Sequence, residues 1–343
     1  MRAQGSLWLI LFGVVALVPR HADAWGVRAH ALIDRAAIDA LPDDGPVFLK
    51  PQRDLIARSA SVPDTWRNVS EPFSKIAEDP NHGWFREQFA FMKAVPRSRY
   101  EFILALYKEY LRIVQRDPKA ARRMNVRWTG TLPYAIVEGY GHLVADMRLI
   151  RMMRAQGTDT RALEADCAFF VAWMGHYVAD GSQPLHVTIH HDGWVGPDPK
   201  GYTRDPAVHA RFETRYVDMI GLVEADILPR MQPVGHLDGD VFDLVLAYLD
   251  RSYQYVETVY AFDKSGALND AGNRPARALV YDRTAAAAAM LRDLVYRAWL
   301  ESALPPRVLP NPIDPSNPDY DPETGSAPAA RSPRPDHPAS TRR

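Results

Sequence analysis

The sequence of 343 residues contains a single cysteine, Cys167. One cysteine excludes an intrachain disulfide and a zinc site built from several thiolates. The chain also lacks a net charge of either sign, because 41 Lys and Arg residues stand against 42 Asp and Glu residues. Holding duplex nucleic acid by charge alone requires a clearly basic face, so we expect no duplex-specific binding.

Long apolar runs are missing too. No segment approaches the roughly 18 uninterrupted apolar residues of a membrane-spanning helix, so we predict no transmembrane segment. A shorter apolar run, residues 7–18, follows Arg2 and precedes the small-x-small sequence Ala22-Asp23-Ala24. These are the features of a cleaved signal peptide. We therefore predict that residues 1–24 are removed before Trp25 and that the protein is secreted or periplasmic; the alternative is an uncleaved N-terminal anchor.

Alternating apolar and polar residues that would predict β-strands are almost absent. Instead, apolar residues recur at intervals of three and four through most of residues 25–303, a pattern typical of amphipathic helices. The predicted helical segments are 31–38, 100–114, 136–153, 162–178, 208–227, 241–260 and 276–300. The sequence therefore predicts an all-α fold with a single multi-helix domain over residues 25–303.

The C-terminal segment, residues 304–343, differs from the rest in composition. It contains 11 of the 28 prolines and few large apolar residues. Such a segment cannot bury enough apolar surface to offset the entropy lost on ordering. We predict that residues 304–343 form a Pro-rich, disordered tail.

The histidines indicate chemistry. His176 and Asp180 are four residues apart in a strongly apolar helical segment, so their side chains project from one face. Pro184 ends this helix, which allows His186 to return toward the same face. A lone histidine is more often a core residue, but two imidazoles and a carboxylate in one helix–turn unit suit zinc.

A second pair, His209 and Glu213, is also four residues apart. Such a pair can be a surface interaction only. Combined with His186 it would supply three protein ligands and leave an open position, the arrangement of a catalytic zinc site. Asp64 and His82 lie on predicted loops and are further candidates, although neither is informative in isolation.

The order of these residues resembles that of the superfamily of bacterial zinc-dependent phospholipases C and zinc nucleases specific for single strands. Most of the resemblance is carried by residues 175–186, Gly-His-Tyr-Val-Ala-Asp-Gly-Ser-Gln-Pro-Leu-His. A second match is Trp25-Gly26 at the predicted mature terminus, with His30 following. The resemblance covers Trp25 to about Arg215 and implies an all-α protein around three zinc ions.

The resemblance also implies how the ions are bound. One zinc ion would have four side-chain ligands: Asp64, His82, His176 and Asp180. A second would bind the amine and carbonyl of Trp25 together with His30 and Asp180, so that Asp180 bridges the two ions. A third would be held by His186, His209 and Glu213. A zinc-activated hydroxide would attack phosphorus, with Asp64 and Asp180 as the catalytic carboxylates, Asp64 orienting the water or accepting its proton.

The substrate remains open between two classes. The short Trp25–His30 spacing resembles the nucleases, whereas Glu213 stands where the phospholipases have Glu and the nucleases usually have Asp. Gly83 follows His82 where the nucleases usually have an aromatic residue. Aromatic platforms that could stack on bases are available, about half of which we expect to pack in the core: Trp66, Trp84, Phe85, Trp128, Tyr134 and Trp194.

We therefore expect a monomeric, exported zinc phosphodiesterase that acts on single-stranded DNA, RNA or nucleotides. The first alternative is a zinc-dependent phospholipase C that acts on phospholipid headgroups. The second is a zinc-binding protein without turnover.

Overall fold

The structure is a computed structural model that describes residues 25–235 and 238–333. The prediction of an all-α fold is confirmed. Among the described residues, the only β-type pairing is an isolated bridge between Asp321 and Ser326. The predicted signal peptide, residues 1–24, lies outside the described residues. Within the part of the chain that is described, no helix has both the length and the apolar character to cross a bilayer.

Helices separated by loops run from Gly26 to Ser302. The α-helices are α1 (Gly26–Asp39), α2 (Arg53–Ser59), α3 (Val62–Thr65), α4 (Pro72–Glu78), α5 (Arg99–Ile113), α6 (Pro118–Ala121), α7 (Val126–Thr129), α8 (Leu132–Ala155), α9 (Arg161–Ser182), α10 (Val208–Ala210), α11 (Val217–Met219), α12 (Glu224–Ile227), α13 (Val241–Tyr253), α14 (Val256–Lys264) and α15 (Arg274–Ser302). The 3-10 helices are Val47–Gln52, Asp79–His82, Arg86–Phe89, Pro184–Val187, Leu228–Arg230 and Ala267–Asn269, and Arg211–Tyr216 is a π-helix.

Helix α9 lies at the centre of the fold. It packs against α1, α2, α8, α13 and α15, and every residue from Met174 to Ser182 is buried. Gly175 allows α1 to approach closely, since a Cβ at this position would lie 2.5 Å from Asp34 Oδ1. The polar residues at the end of α9 therefore lie in the protein interior, where buried polar groups need partners.

The predicted helix over residues 208–227 is broken in the structure. Helix α10 runs into the π-helix Arg211–Tyr216, which is followed by α11 and α12. A π-turn takes in an extra residue per turn and is frequent at functional sites. A periodicity near 3.6 does not reveal a single π-turn, so the sequence predicted a regular helix here. The π-helix includes Glu213.

Two backbone contacts fix the segment that carries His82. The amide of Trp84 donates to the carbonyl of His186 at 2.8 Å, and the amide of Leu132 donates to the carbonyl of Gly83 at 3.2 Å. Gly130, with φ of +77°, permits this approach because a Cβ there would lie 1.8 Å from the carbonyl oxygen of Gly83. The His82 segment is thereby joined to both the start of α8 and the His186 turn.

Residues 304–333 form no helix but lie against the domain. The guanidinium of Arg97 donates to the carbonyl of Ala329 at 3.1 Å, and the amide of Ser332 donates to Asp240 at 2.9 Å. The composition of the tail did not indicate these contacts, because they are hydrogen bonds rather than apolar burial. Residues 334–343 lie outside the described residues, and their disorder stays a prediction.

Candidate metal centre

The structure brings the predicted ligand side chains together in three adjoining groups. Within each group, one potential ligand atom from each side chain lies within 4.8 Å of the others. The groups are His30, His176 and Asp180; Asp64, His82 and His176; and His186, His209 and Glu213. All eight side chains are buried or nearly so, and the first two groups share His176.

These side chains come from elements far apart in the sequence. His30 lies on α1, Asp64 on α3, His82 at the end of a 3-10 helix, His176 and Asp180 on α9, His186 in the 3-10 helix Pro184–Val187, His209 on α10 and Glu213 in the π-helix. Gln183 shapes the turn after α9, because its side-chain carbonyl accepts the amide hydrogen of Leu185. Its side-chain nitrogen donates to Glu213 at 3.0 Å, so the same residue links this turn to the π-helix.

Asp180 lies between the groups. Its Oδ1 is 3.5 Å from His30 Nε2, and its Oδ2 is 3.1 Å from His82 Nδ1 and 3.5 Å from His176 Nε2. The two carboxylate oxygens thus face different imidazoles. This arrangement fits the bridging role predicted for Asp180.

Asp64 lies against the same two imidazoles. Its Oδ1 is 3.7 Å from His82 Nδ1 and 3.8 Å from His176 Nε2. Arg67 Nη1 approaches that oxygen to 3.3 Å. The predicted carboxylate is therefore placed beside the predicted ligands, with a guanidinium on its other side.

Hydrogen bonds to the outer ring nitrogens orient several of the histidines. Nδ1 of His176 donates to the carbonyl of Ala60 at 2.8 Å, Nδ1 of His186 donates to the carbonyl of His82, and Nδ1 of His209 lies 3.0 Å from the carbonyl of His191. When Nδ1 carries the hydrogen, Nε2 keeps a lone pair for a metal ion. In each of these residues Nε2 is the atom that faces its group.

The third group is a tight cluster around Glu213. Its Oε2 lies 2.8 Å from His209 Nε2 and 3.5 Å from His186 Nε2. Burial opposes ionisation of Glu213, but the positive charge of His209 and the hydrogen bonds lower its pKa to about 2. Burial likewise opposes protonation of His209, yet Glu213 and Asp192 raise its pKa to about 10, so a metal ion would bind Nε2 of His209 by displacing its proton.

The electrostatics of the other two groups call for a cation. Burial raises the pKa of Asp180 well above its usual value, and the negative charges of Asp64 and Glu213 raise it further. Burial lowers the pKa values of His82 and His176 well below the usual range, so these rings are neutral, as metal ligands must be. Asp180 Oδ1 and Glu213 Oε1 are buried without a hydrogen-bond partner. The donor set therefore fits divalent zinc.

Trp25 occupies a different position from the predicted one. Its backbone nitrogen donates to Glu213 Oε2 at 3.1 Å, and its indole nitrogen donates to Ser182 at 3.0 Å. The prediction placed its amine with His30 and Asp180. In the uncleaved chain this nitrogen belongs to a peptide bond, which can donate a hydrogen bond but cannot bind zinc. Ligation by Trp25 thus stays a prediction for the cleaved chain.

A cleft of about 240 Å³ opens onto the centre. His82, His186 and His209 line it, together with three basic side chains, Arg67, Lys75 and Arg127, and two acidic ones, Asp79 and Asp192. The rings of Phe85 and His191 stack in parallel on one wall, with centroids 4.4 Å apart. Asp79 pairs with both Arg67 and Lys75, so among the described residues Arg127 is the cation of the cleft without an acidic partner.

The aromatic residues suggested as base platforms divide into two sets. Trp84 and Tyr134 are buried and pack in the core, whereas Phe85 is buried at the wall of the cleft against His191. Trp128 is 38% exposed and lies next to Arg127 at the cleft. Trp66 and Trp194 are partly buried.

Several residues at the centre were not found from the sequence. Glu78 accepts a hydrogen bond from His82 Nε2 at 3.0 Å, Gln183 contacts Glu213, and Asp192 lies 3.2 Å from His209 Nδ1. The spacing of Glu78 and His82, four residues apart, was a usable signal. Asp192 follows His191 in a loop and gave no signal.

No family model matches the chain, and no curated protein matches it. The solved structures similar to it include two clostridial alpha-toxins. One is alpha-toxin from an avian strain of Clostridium perfringens, with 13% identity and a TM-score of 0.40 over 81% of this chain and 65% of the toxin. The other is alpha toxin from Clostridium absonum, with 13% identity and a TM-score of 0.38 over 79% of this chain and 64% of the toxin. The chain thus spans just under two thirds of either toxin. At this level the similarity carries no argument about activity.

We expect removal of zinc by a chelator to destabilise the protein, because the buried carboxylates then lose their counter-charge. When the concentration of free zinc before chelation is about 1,000 times its dissociation constant, removal of each ion lowers the free energy of unfolding by about 4 kcal/mol. Urea denaturation with and without the chelator measures this difference in unfolding free energy.

In Asp180→Asn, one buried negative charge is removed, so we expect zinc to increase the unfolding free energy by less than in the wild type. An equal gain in this variant and the wild type would contradict the bridging role.

Proposed function

We propose that this protein is an exported zinc-dependent hydrolase of phosphodiesters. The observation that carries the proposal is the three adjoining groups of buried His, Asp and Glu side chains around Asp180, beside a cleft whose lining includes Arg67, Lys75 and Arg127. Zinc, when bound, supplies Lewis acidity toward a phosphoryl oxygen and lowers the pKa of water. The proposed ligands are Trp25 at the cleaved N-terminus and His30, Asp64, His82, His176, Asp180, His186, His209 and Glu213.

Asp64 is proposed to orient the attacking water and accept its proton. Its carboxylate is close to His82 and His176, and Arg67 lies 3.3 Å away on the other side. Arg67 also contacts Asp79 at 3.1 Å, which holds the guanidinium in place. A carboxylate that is positioned but only partly shielded by a neighbouring cation can act as a general base within hydrogen-bond reach of a water.

Single-stranded nucleic acid is the substrate class that the walls of the cleft favour. Lys75 and Arg67 both pair with Asp79, at 2.7 and 3.1 Å. Arg127 has no acidic side chain within salt-bridge distance among the described residues, and it stacks over Trp128 with 5.4 Å to the ring centroid. Beside a phosphate bound at the centre, the Arg127 guanidinium would contact a neighbouring phosphate of a single-stranded nucleic acid, and the Trp128 ring would stack on a base.

A phospholipid substrate is the second candidate, and a different surface favours it. Phe73 and Ile76 on α4 are 91% and 75% exposed, and Val69 just before this helix is 69% exposed. Lys75 from the same helix lines the cleft. Large apolar side chains beside a catalytic cleft could enter the interfacial region of a bilayer.

A panel of substrates tests the proposal. The chain beginning at Trp25, loaded with zinc, is assayed on single-stranded DNA, RNA and phosphatidylcholine vesicles. We expect cleavage of the nucleic acids, which the chelator abolishes. Cleavage of phosphatidylcholine alone would support the second candidate. Full zinc content with no turnover on any phosphodiester would indicate a zinc-binding protein and overturn the proposal.

Arg127→Met should weaken nucleic-acid cleavage selectively. Loss of one partly exposed charge contact to a phosphate corresponds to a decrease in kcat/KM of about 3- to 10-fold. We expect this decrease on a single-stranded oligonucleotide and little change on bis(p-nitrophenyl) phosphate, which has no neighbouring phosphate. Arg123→Met is the matched control, because Arg123 also stacks on Trp128, at 5.7 Å, but does not line the cleft. Equal losses for the two variants would contradict a role for Arg127 in binding.

An N-terminal extension should lower zinc content and activity together. Trp25 is fully buried, and its backbone nitrogen lies at Glu213, so residues before it would block an amine that binds metal. Zinc per chain and turnover are measured for the chain beginning at Trp25 and for one with residues added before Trp25. An equally long extension after Arg343 is the control. Full zinc content and activity with the N-terminal extension would show that the amine is not a ligand.

A further inference from the structure

Glu78 is a buried carboxylate with no assigned role, located directly behind the candidate metal centre. It is the last residue of α4 and is 7% exposed. Its Oε1 accepts hydrogen bonds from His82 Nε2 at 3.0 Å and from the hydroxyl of Tyr177. Asn81 Nδ2 lies 3.5 Å from Oε2. These contacts all come from buried groups, so the carboxylate is held in one orientation.

The bond from His82 determines which ring nitrogen faces the centre. Nε2 lies 3.0 Å from Glu78 Oε1, and Nδ1 lies 3.1 Å from both Asp180 Oδ2 and His176 Nε2. When Nε2 donates to Glu78, Nδ1 keeps its lone pair and faces the centre. The geometry of His82 is thus the reverse of that of His176, which presents Nε2 to the group.

We propose that Glu78 is a positioning residue for the zinc ion at Asp64, His82 and His176: it holds His82 as the Nε2–H tautomer with Nδ1 as the ligand atom. Carboxylates that accept the outer N–H of a ligating histidine orient the ring and increase its basicity. The inference rests on the proposed zinc centre and is independent of which phosphodiester is cleaved.

Tyr177 strengthens this arrangement from α9. It follows His176 in the sequence, donates to the same Glu78 oxygen as His82, and packs edge-on against the His82 ring with centroids 5.6 Å apart. One carboxylate oxygen therefore connects α4, the His82 turn and α9. A change at Glu78 is transmitted to His82 through this oxygen.

The chain contains a matched pair for a control. Tyr140 donates to Glu301 Oε2 at 2.6 Å, and Glu301 is 9% exposed. This second buried Tyr–Glu pair contacts none of the proposed ligands among the described residues. Glu301→Met removes the partner of a buried tyrosine as Glu78→Met does, so it controls for the loss of a buried Tyr–Glu hydrogen bond in a place that does not contact His82.

The experiment compares zinc affinity of Glu78→Met, Glu78→Gln and Glu301→Met with that of the wild type, using competition with a chromophoric chelator. We expect Glu78→Met to weaken one of the three zinc sites by about 10- to 100-fold. Glu78→Gln keeps an acceptor oxygen for His82 Nε2–H and should restore most of the affinity. Glu301→Met should bind all zinc ions as the wild type does.

A second readout follows the tautomer directly. Nitrogen-15 NMR of labelled histidine, in the zinc-loaded protein, should show His82 with hydrogen on Nε2 in the wild type and in Glu78→Gln, and a loss of that signal in Glu78→Met. Wild-type affinity and an unchanged tautomer in Glu78→Met would overturn the inference and leave the proposed function standing. Absence of zinc binding in the wild type would overturn both. Turnover is not used, so a wrong substrate class affects neither readout.

Discussion

The buried carboxylate of Asp180 is the constraint on which the rest of this structure depends. It lies in the last turns of α9, where every neighbour in the chain is buried, and Asp64 and Glu213 add negative charge nearby. An unpaired charge in such a place costs several kcal/mol. The neutral imidazoles of His82 and His176 beside it supply lone pairs, and the positive charges of Arg67 and His209 oppose only part of the rise in its pKa. The helices thus enclose a set of donors whose charge a divalent cation would balance.

The orientation of those donors is set by the backbone of distant segments. Carbonyl groups of Ala60, His82 and His191 accept from the outer nitrogens of His176, His186 and His209. Since His82 both offers a carbonyl to His186 and points its own ring at Asp180, the second and third groups are mechanically connected. A displacement of the His82 turn would disturb both at once. The glycine contact between residues 83 and 130 therefore supports the centre as well as the fold.

The buried centre and the rim of the cleft determine different properties. The proposed zinc centre does not distinguish a nucleotide strand from a phospholipid, because both present a phosphodiester. The choice between the two substrate classes depends on the surface around the cleft. There, Arg127 and Lys75 offer positive charge, Lys75 being paired with Asp79, and Phe73 and Ile76 offer exposed apolar area. Function thus depends on features at the rim that the fold class does not specify.

The sequence by itself determined the helical class, and it predicted two pairs of candidate ligands from their spacing. The reason is local: His176 and Asp180 are one turn apart, and so are His209 and Glu213, so their spacing alone places each pair on one face. Only the tertiary structure decided how these pairs meet. The Trp25 nitrogen contacts Glu213, which is 188 positions away in the sequence. Glu78 is recognised as part of the centre only because His82 and Tyr177 both contact the same oxygen of its carboxylate. Such contacts follow from the packing of α1 and of the 3-10 helix Asp79–His82 on α9, which residue spacing along the chain does not encode.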